Sequence, residues 1–205
     1  MTLGMTDKTA EMVDLMFDLE GEILHGAYPF ALWEALLRDF PQLADEPRAG
    51  VLPLRLSESH EGMILPKRAK LVLRLPVALA DHAATILQGR QLNVGGSMLQ
   101  LGSGKKRTIQ PSPTVHAQLV SGASDEVLFV DTINRQLAGM NIAGNLICGL
   151  HRTLTGDQLS IHGYSLVVHD LKPEDSLKLQ YAGLGEGRQY GCGIFVPYKA
   201  ISGLD

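Results

Sequence analysis

Two kinds of hydrophobic spacing alternate along this chain in a fixed order, and the order occurs twice. Residues 12–20, MVDLMFDLE, alternate apolar and acidic side chains with period two, which predicts a strand with one solvated, acidic face. Phe30, Trp33, Leu36, Leu37 and Phe40 then recur at steps near 3.6, after Pro29 and before Pro41, so a helix is expected between the prolines. Strands are predicted at 51–56 and 70–75. Pro76 opens a second helix on Leu79, Ala83, Ile86 and Leu87, with Gly89 as its stop, and short strands follow at 91–94 and 98–101. This is β-α-β-β-α-β, the ferredoxin-like order.

The second half repeats it. A strand is expected at 115–120, then a helix capped by Ser124, with Asp125 and Glu126 in its first turn and Val127, Val130, Ile133 and Leu137 as its stripe. Strands at 147–154 and 159–168, a helix opened by Pro173, and a last strand at 193–196 complete the set. The fold class predicted is α+β, two ferredoxin-like (RRM-like) units in tandem. A stretch rich in Gly, Lys, Pro and Ser at 103–113 marks the boundary, giving domains 1–105 and 106–205.

At 45% apolar residues the chain has the means to pack a core, which excludes disorder. No apolar run approaches the roughly 18 residues of a membrane span. The first residues, MTLGMTDKTAEM, lack the basic start and apolar stretch of a signal peptide, so a cytoplasmic protein with no membrane partner is expected. Cys148 and Cys192 form neither a disulfide framework nor a zinc-knuckle spacing, and the seven histidines are scattered with no metal-ligand pattern, so neither a metal nor another cofactor is expected. The net charge of −4 argues against a polyanionic partner. Its distribution weakens that objection. Residues 1–48 hold ten acids and three bases, whereas 49–122 hold nine bases and three acids. Such bases serve either as solvated surface or as a phosphate-binding face.

Between the last predicted helix and strand lies GLGEGRQYGCGIFVPYK, with Gly183, Gly185, Gly187, Gly191 and Gly193 inside eleven residues. Glycines admit positive φ and close backbone approach, and successive N–H groups in such a loop can cradle a phosphate. Arg188 and Lys199 add charge, and Tyr190 and Tyr198 add stacking faces. A Walker loop would end in Gly-Lys-Ser/Thr, and a Rossmann fingerprint would follow a strand and open a helix; neither holds here. The same glycines would equally serve a tight helix-to-strand turn.

Gly183-Leu184-Gly185, five residues, then Gly191-Cys192-Gly193 resembles the signature of the CRISPR-associated endoribonucleases that process repeat transcripts, the sixth Cas family of the RAMP superfamily. SLKLQYAGLGEGRQYGCGIFVPYK and PKRAKLVLRLP look like the short, Myxan-type branch. The resemblance spans most of the chain. It implies tandem ferredoxin-like domains and metal-independent cleavage of CRISPR repeat RNA to mature guides. The RNA's own 2′-hydroxyl would be the nucleophile, leaving a 2′,3′-cyclic phosphate and a 5′-hydroxyl. It also implies that other CRISPR effector-complex subunits are partners.

The resemblance implies a histidine at the first helix as acid/base, and His25, in LHGAYP, is the first candidate. Tyr28 could assist or stack on a base, and His60 is a second histidine in a polar loop. Lys67 and Arg68 are charge-stabilising candidates; Arg68, Lys70, Arg74, Lys105, Lys106, Arg107, Arg152, Arg188 and the five loop glycines are the expected RNA contacts. The acidic first strand is expected to face solvent or protein. Two alternatives stand: a noncatalytic RNA-binding subunit of a CRISPR complex, and a small-molecule-binding ferredoxin-like protein.

Overall fold

The computed structural model describes residues 11–198; Lys199 lies outside them. The first half runs β1 (Met12–Gly21), α1 (Tyr28–Asp39), β2 (Gly50–Val51), β3 (Ser57–Ser59), β4 (Gly62–Ile64), β5 (Lys70–Pro76), α2 (Val77–Leu87), β6 (Gln91–Val94) and β7 (Ser97–Thr108). The second runs β8 (Val115–Ser121), α3 (Glu126–Gly139), β9 (Asn145–Thr155), β10 (Ser160–His169), α4 (Pro173–Ala182) and β11 (Val196–Pro197). One sheet has the order β2-β5-β1-β7-β6 and the other β11-β8-β10-β9, with every pair antiparallel. Apart from the added edge strand β6, both follow one plan. The first strand is central, flanked by the third and fourth, and the second lies outside the third. That is the split βαβ arrangement of the ferredoxin-like fold.

Period-two patterning assigns the faces. Leu15, Phe17 and Leu19 of β1 and Leu71, Leu73 and Leu75 of β5 face α1 and α2, whose Leu32, Ala35, Leu36, Ala83 and Leu87 close a first core. Val115, Ala117, Leu166 and Val168 close a second with Phe129, Ile133, Leu137 and Leu179. The α3 stripe is therefore Phe129–Ile133–Leu137, and Val127 is exposed. Its cap is Asp125, whose side chain accepts the Leu128 N–H at 2.9 Å, one residue beyond the expected Ser124.

Four stretches depart from the expected elements; one is the last strand, read at 193–196, which is only Val196–Pro197. The strand expected at 51–56 stops at Val51, because Pro53 has no N–H to donate and the Leu54 N–H goes to the Tyr28 hydroxyl at 3.2 Å. A hairpin, β3–β4, occupies residues read as a polar loop, and reciprocal 2.8 Å hydrogen bonds between Leu24 and Met63 dock it on the chain before α1. The strand read at 98–101 runs to Thr108, with Lys105, Lys106 and Arg107 opposite Met16, Leu15 and Asp14. No helix among the described residues is long and apolar enough to cross a membrane.

Candidate functional site

His25 sits between β1 and α1 with its side chain exposed. The segment carrying it is clamped on two sides. From one, the Ser97 hydroxyl donates to the Ile23 carbonyl at 2.5 Å and Glu22 accepts the Met98 N–H at 3.0 Å. From the other comes the β3–β4 hairpin. The Tyr28 N–H then closes a turn on the His25 carbonyl at 2.9 Å and starts α1. No side chain caps that start, and Gly26 has open space where a side chain would be. Glu22, Ile23, His25, Glu61, Gly95, Gly96 and Ser97 line an open groove of about 610 Å³. Tyr28 is half-buried; burial raises its phenol pKa, and the Leu54 hydrogen bond offsets part of the rise. His60 is exposed in the hairpin turn, two residues from Gly62.

The predicted phosphate contacts divide by their partners. Lys67 and Arg68 are exposed in the turn between β4 and β5. They, Lys105 and Arg152 make no ion pair among the described residues. Lys70 pairs with Asp18, Lys106 with Asp81 at 2.6 Å, and Arg107 with Asp14 at 3.2 Å, all from exposed positions. These three would exchange a carboxylate for a phosphate. Arg152 lies on the β9–β10 hairpin. The turn of that hairpin reaches the first unit at Phe30, where a side chain on Gly156 would meet the ring at 2.8 Å. Phe30 in turn contacts Tyr190, with ring centroids 4.6 Å apart.

Arg74 is a correction. It does face away from the leucines of β5, but that side is covered by the second unit, and Arg74 is 1% exposed. Its guanidinium bonds both carboxylate oxygens of Asp14, at 2.8 and 3.1 Å, and donates to the Gln180 carbonyl at 3.1 Å and the Phe195 carbonyl at 2.6 Å. Gln180 lies in the last turn of α4, where carbonyls lack helical partners, so Arg74 caps a helix of the other unit. Asp14, 2% exposed, departs from the expected solvated acidic face of β1, whose Asp18 and Glu20 are exposed: charge at Asp14 is matched internally.

The glycine loop is a second correction at Gly183, Gly191 and Gly193. Its N–H groups are largely spent within the protein: Leu184 on Gly193, Glu186 on the Ser121 hydroxyl, Tyr190 and Cys192 on Gly187, Gly191 on Arg188, and Gly193 on Leu119. Gly183, Gly185, Gly187, Gly191 and Gly193 all have positive φ. A side chain at Gly191 would meet Pro53 and Val51, at Gly193 the Leu184 carbonyl, and at Gly185 the Ser121 backbone. The close approach that requires glycine is thus to this chain's own backbone. Gly183, Gly191 and Gly193 are buried and, as placed, have no face for RNA; Gly187 is half-buried, and Gly185 is exposed. Arg188, 8% exposed, points inward. Its Nε donates to the Arg48 carbonyl at 2.7 Å, its terminal nitrogens are unpartnered among the described residues, and burial pulls its pKa down to about 10.

The sequence reading missed Asp14 as a structural partner, the 48–53 segment as the loop's seat, and the hairpin that frames His25. Only the first left a signal: single opposite charges at mid-strand in MVDLMF and LVLRLP.

Two split βαβ units, locked by a glycine-rich loop, define a tandem ferredoxin-like protein. The model of the family described as Cas6 Crispr matches residues 13–200. The CRISPR-associated endonuclease Cas6 of Myxococcus xanthus (strain DK1622) is 31% identical over 189 residues, 90% of this chain and 81% of that protein. Among solved structures, a RAMP protein described as binding different RNA substrates matches with TM-score 0.67 and 13% identity, over 91% of this chain and 100% of that one. Thermus thermophilus Cse3, bound to an RNA representing a pre-cleavage complex, matches with TM-score 0.52 and 16% identity, over 90% of this chain and 98% of that one. The chain belongs to the Cas6 family. Membership displaces the small-molecule-binding alternative.

Proposed function

We propose that this protein is a metal-independent endoribonuclease that cuts CRISPR repeat RNA into guide RNAs in the cytoplasm and then serves other subunits of an effector complex. The observation that carries the reading is the family match from residue 13 to residue 200. Support comes from the Myxococcus xanthus relative, an endonuclease, and from the Thermus thermophilus Cse3 structure, whose RNA represents a pre-cleavage complex. The working division is an N-terminal unit with the acid/base residues and a C-terminal unit with the glycine loop, with the boundary moved from 105/106 to the connector 109–114, because β7 runs to Thr108.

RNA supplies the nucleophile, so the protein has three tasks: take the 2′-hydroxyl proton, return one to the 5′-oxygen, and stabilise the extra charge on phosphorus. His25 takes the first. Its exposure, and the open space at Gly26, let a phosphodiester reach the imidazole. Tyr28, one turn on, and His60, in the adjoining hairpin, are the candidates to return the proton. Lys67 is the candidate to stabilise charge. Arg68, Lys70, Lys105, Lys106, Arg107 and Arg152 are the exposed cations available to track the strand. The loop glycines and Arg188 contribute by holding the two units in register, with Gly185 the most exposed of them.

One observation favours the noncatalytic reading: Glu22 and Glu61 line the groove beside His25, and no lysine or arginine does. A single assay separates the two. The cognate repeat RNA should be cut in EDTA, whereas the same RNA with a 2′-deoxy sugar at the scissile position should be bound uncut. His25→Ala should slow cleavage by about 10²-fold or more at similar affinity. Binding without cleavage by the wild type supports the noncatalytic subunit.

A further inference from the structure

Apart from His60 in its turn, the β3–β4 hairpin has no role in the chemistry described so far, yet its Gly62 lies beside His25. Gly62 has φ +139°, and a side chain there would lie 2.6 Å from Ile23 Cγ2, 2.8 Å from the Leu24 carbonyl oxygen and 3.3 Å from His25 Nδ1. The Nδ1 edge of the imidazole therefore faces the space that a side chain at Gly62 would occupy. The hairpin is held there by the two Leu24–Met63 hydrogen bonds and closed by the Ser59 hydroxyl donating to the Gly62 carbonyl at 2.8 Å. The opposite clamp, Ser97 on Ile23 and Met98 on Glu22, fixes the backbone on which the ring is mounted.

We infer that Gly62 is a positioning residue for His25: it seats the Nδ1 edge against the hairpin, so that Nε2 is the nitrogen presented to the RNA. The inference rests on the reading of His25 as the acid/base. It follows from the ring's two-sided chemistry. A neutral imidazole has one protonated and one free nitrogen, and a base must aim the free one at the 2′-hydroxyl. A ring free to turn about its own bonds would spend time misaligned, and misplacement of about 1 Å costs on the order of 10²-fold in rate. A Cβ at residue 62 would press on the Nδ1 edge at 3.3 Å and turn the ring from that orientation.

The test compares Gly62→Ala with Gly89→Ala. Gly89 also has positive φ, at +74°, but has open space around it and lies outside the groove. Both are to be measured for RNA affinity, single-turnover cleavage and its pH profile. Gly62→Ala should lose tenfold or more in cleavage rate, with affinity within twofold of wild type and a displaced pH profile; Gly89→Ala should keep the wild-type rate. In parallel, ¹⁵N-histidine spectra of the wild type titrated with the 2′-deoxy RNA should move the His25 Nε2 resonance and leave Nδ1 in place. Wild-type cleavage by Gly62→Ala, or movement of Nδ1 instead of Nε2, overturns the inference. If Gly62→Ala does not fold, the nitrogen resonances decide alone. If His25→Ala cleaves normally, it is the acid/base reading that falls, a result distinct from an inactive His25→Ala beside a fully active Gly62→Ala.

Discussion

Removing the Arg74 guanidinium leaves Asp14 buried with one remaining ion-pair partner among the described residues, the exposed Arg107. A buried charge stripped of its main partner costs about 3–5 kcal/mol. Arg74→Met should therefore lower the unfolding free energy read from urea titration by that amount, while Asp14→Leu together with Arg74→Met should recover part of it. Recovery should be incomplete, because the Gln180 and Phe195 carbonyls lose their donor in both variants. Cys192 offers a pH test. Burial pushes its thiol up to about 11, from an unfolded value near 9. The folded chain holds that proton where the unfolded chain releases it. The contribution is thus whole below pH 9 and declines as pH rises towards 11. Chemical unfolding at pH 8 and pH 10.5 should show a smaller loss for Cys192→Ala than for wild type. Burial also raises the Cys148 thiol, with Glu126 adding to it, so neither thiol should react rapidly near neutral pH. At this scale the sequence revealed residue type and strand face, and no more. The alternation in LVLRLP puts Arg74 opposite the leucines, but what covers that face belongs to a segment over a hundred positions away.

Lys105 shows what β7 does as an element. Its extension to Thr108 carries the bases of the supposed linker onto the first sheet, where Lys105 stands opposite Met16 without an acidic partner among the described residues. Lys105→Ala should flatten the dependence of log affinity on log salt by about one while leaving the melting temperature unchanged. A steeper or unchanged slope would remove it from the RNA contacts. The long elements were legible because their periodicity is set by burial on one face, as for α1 between its prolines and β1 on its leucines. The short ones were not. The β3–β4 hairpin, SESHEGMI, has little apolar pattern of its own and exists because Leu24 and Met63 exchange backbone hydrogen bonds. The strand at 51–56 failed for the reverse reason: its apolar residues are there, but Pro53 and the Tyr28 hydroxyl interrupt the ladder. His25 stood out through its setting beside the first helix, whereas the frame that seats it comes from two distant turns.

The two units are joined far more tightly than a linker would join them. The connector 109–114 is itself fastened, with Ile109 buried, the Gln110 carbonyl accepting from Gln180 at 2.9 Å and the Ser112 N–H donating to Ser176 at 2.9 Å. With Arg74 capping α4 and the glycine loop seated on 48–53, thermal unfolding should be one cooperative transition, the same by circular dichroism and by Trp33 fluorescence. Arg74→Met should split it in two; a split in the wild type would mean that the joint is weaker than its contacts indicate. The fold order hints at two similar halves, but it does not signal that the halves are fitted to each other. The glycine loop has a consequence for exchange between relatives. A chimera spliced at the connector would separate Gly191 from Pro53, Arg188 from the Arg48 carbonyl and Arg74 from α4, although every helix and strand in it was intact. A graft that works has to transplant the 48–53 strip and the Asp14–Arg74 pair along with the second half, so the unit of inheritance in this architecture is the seam and not the domain.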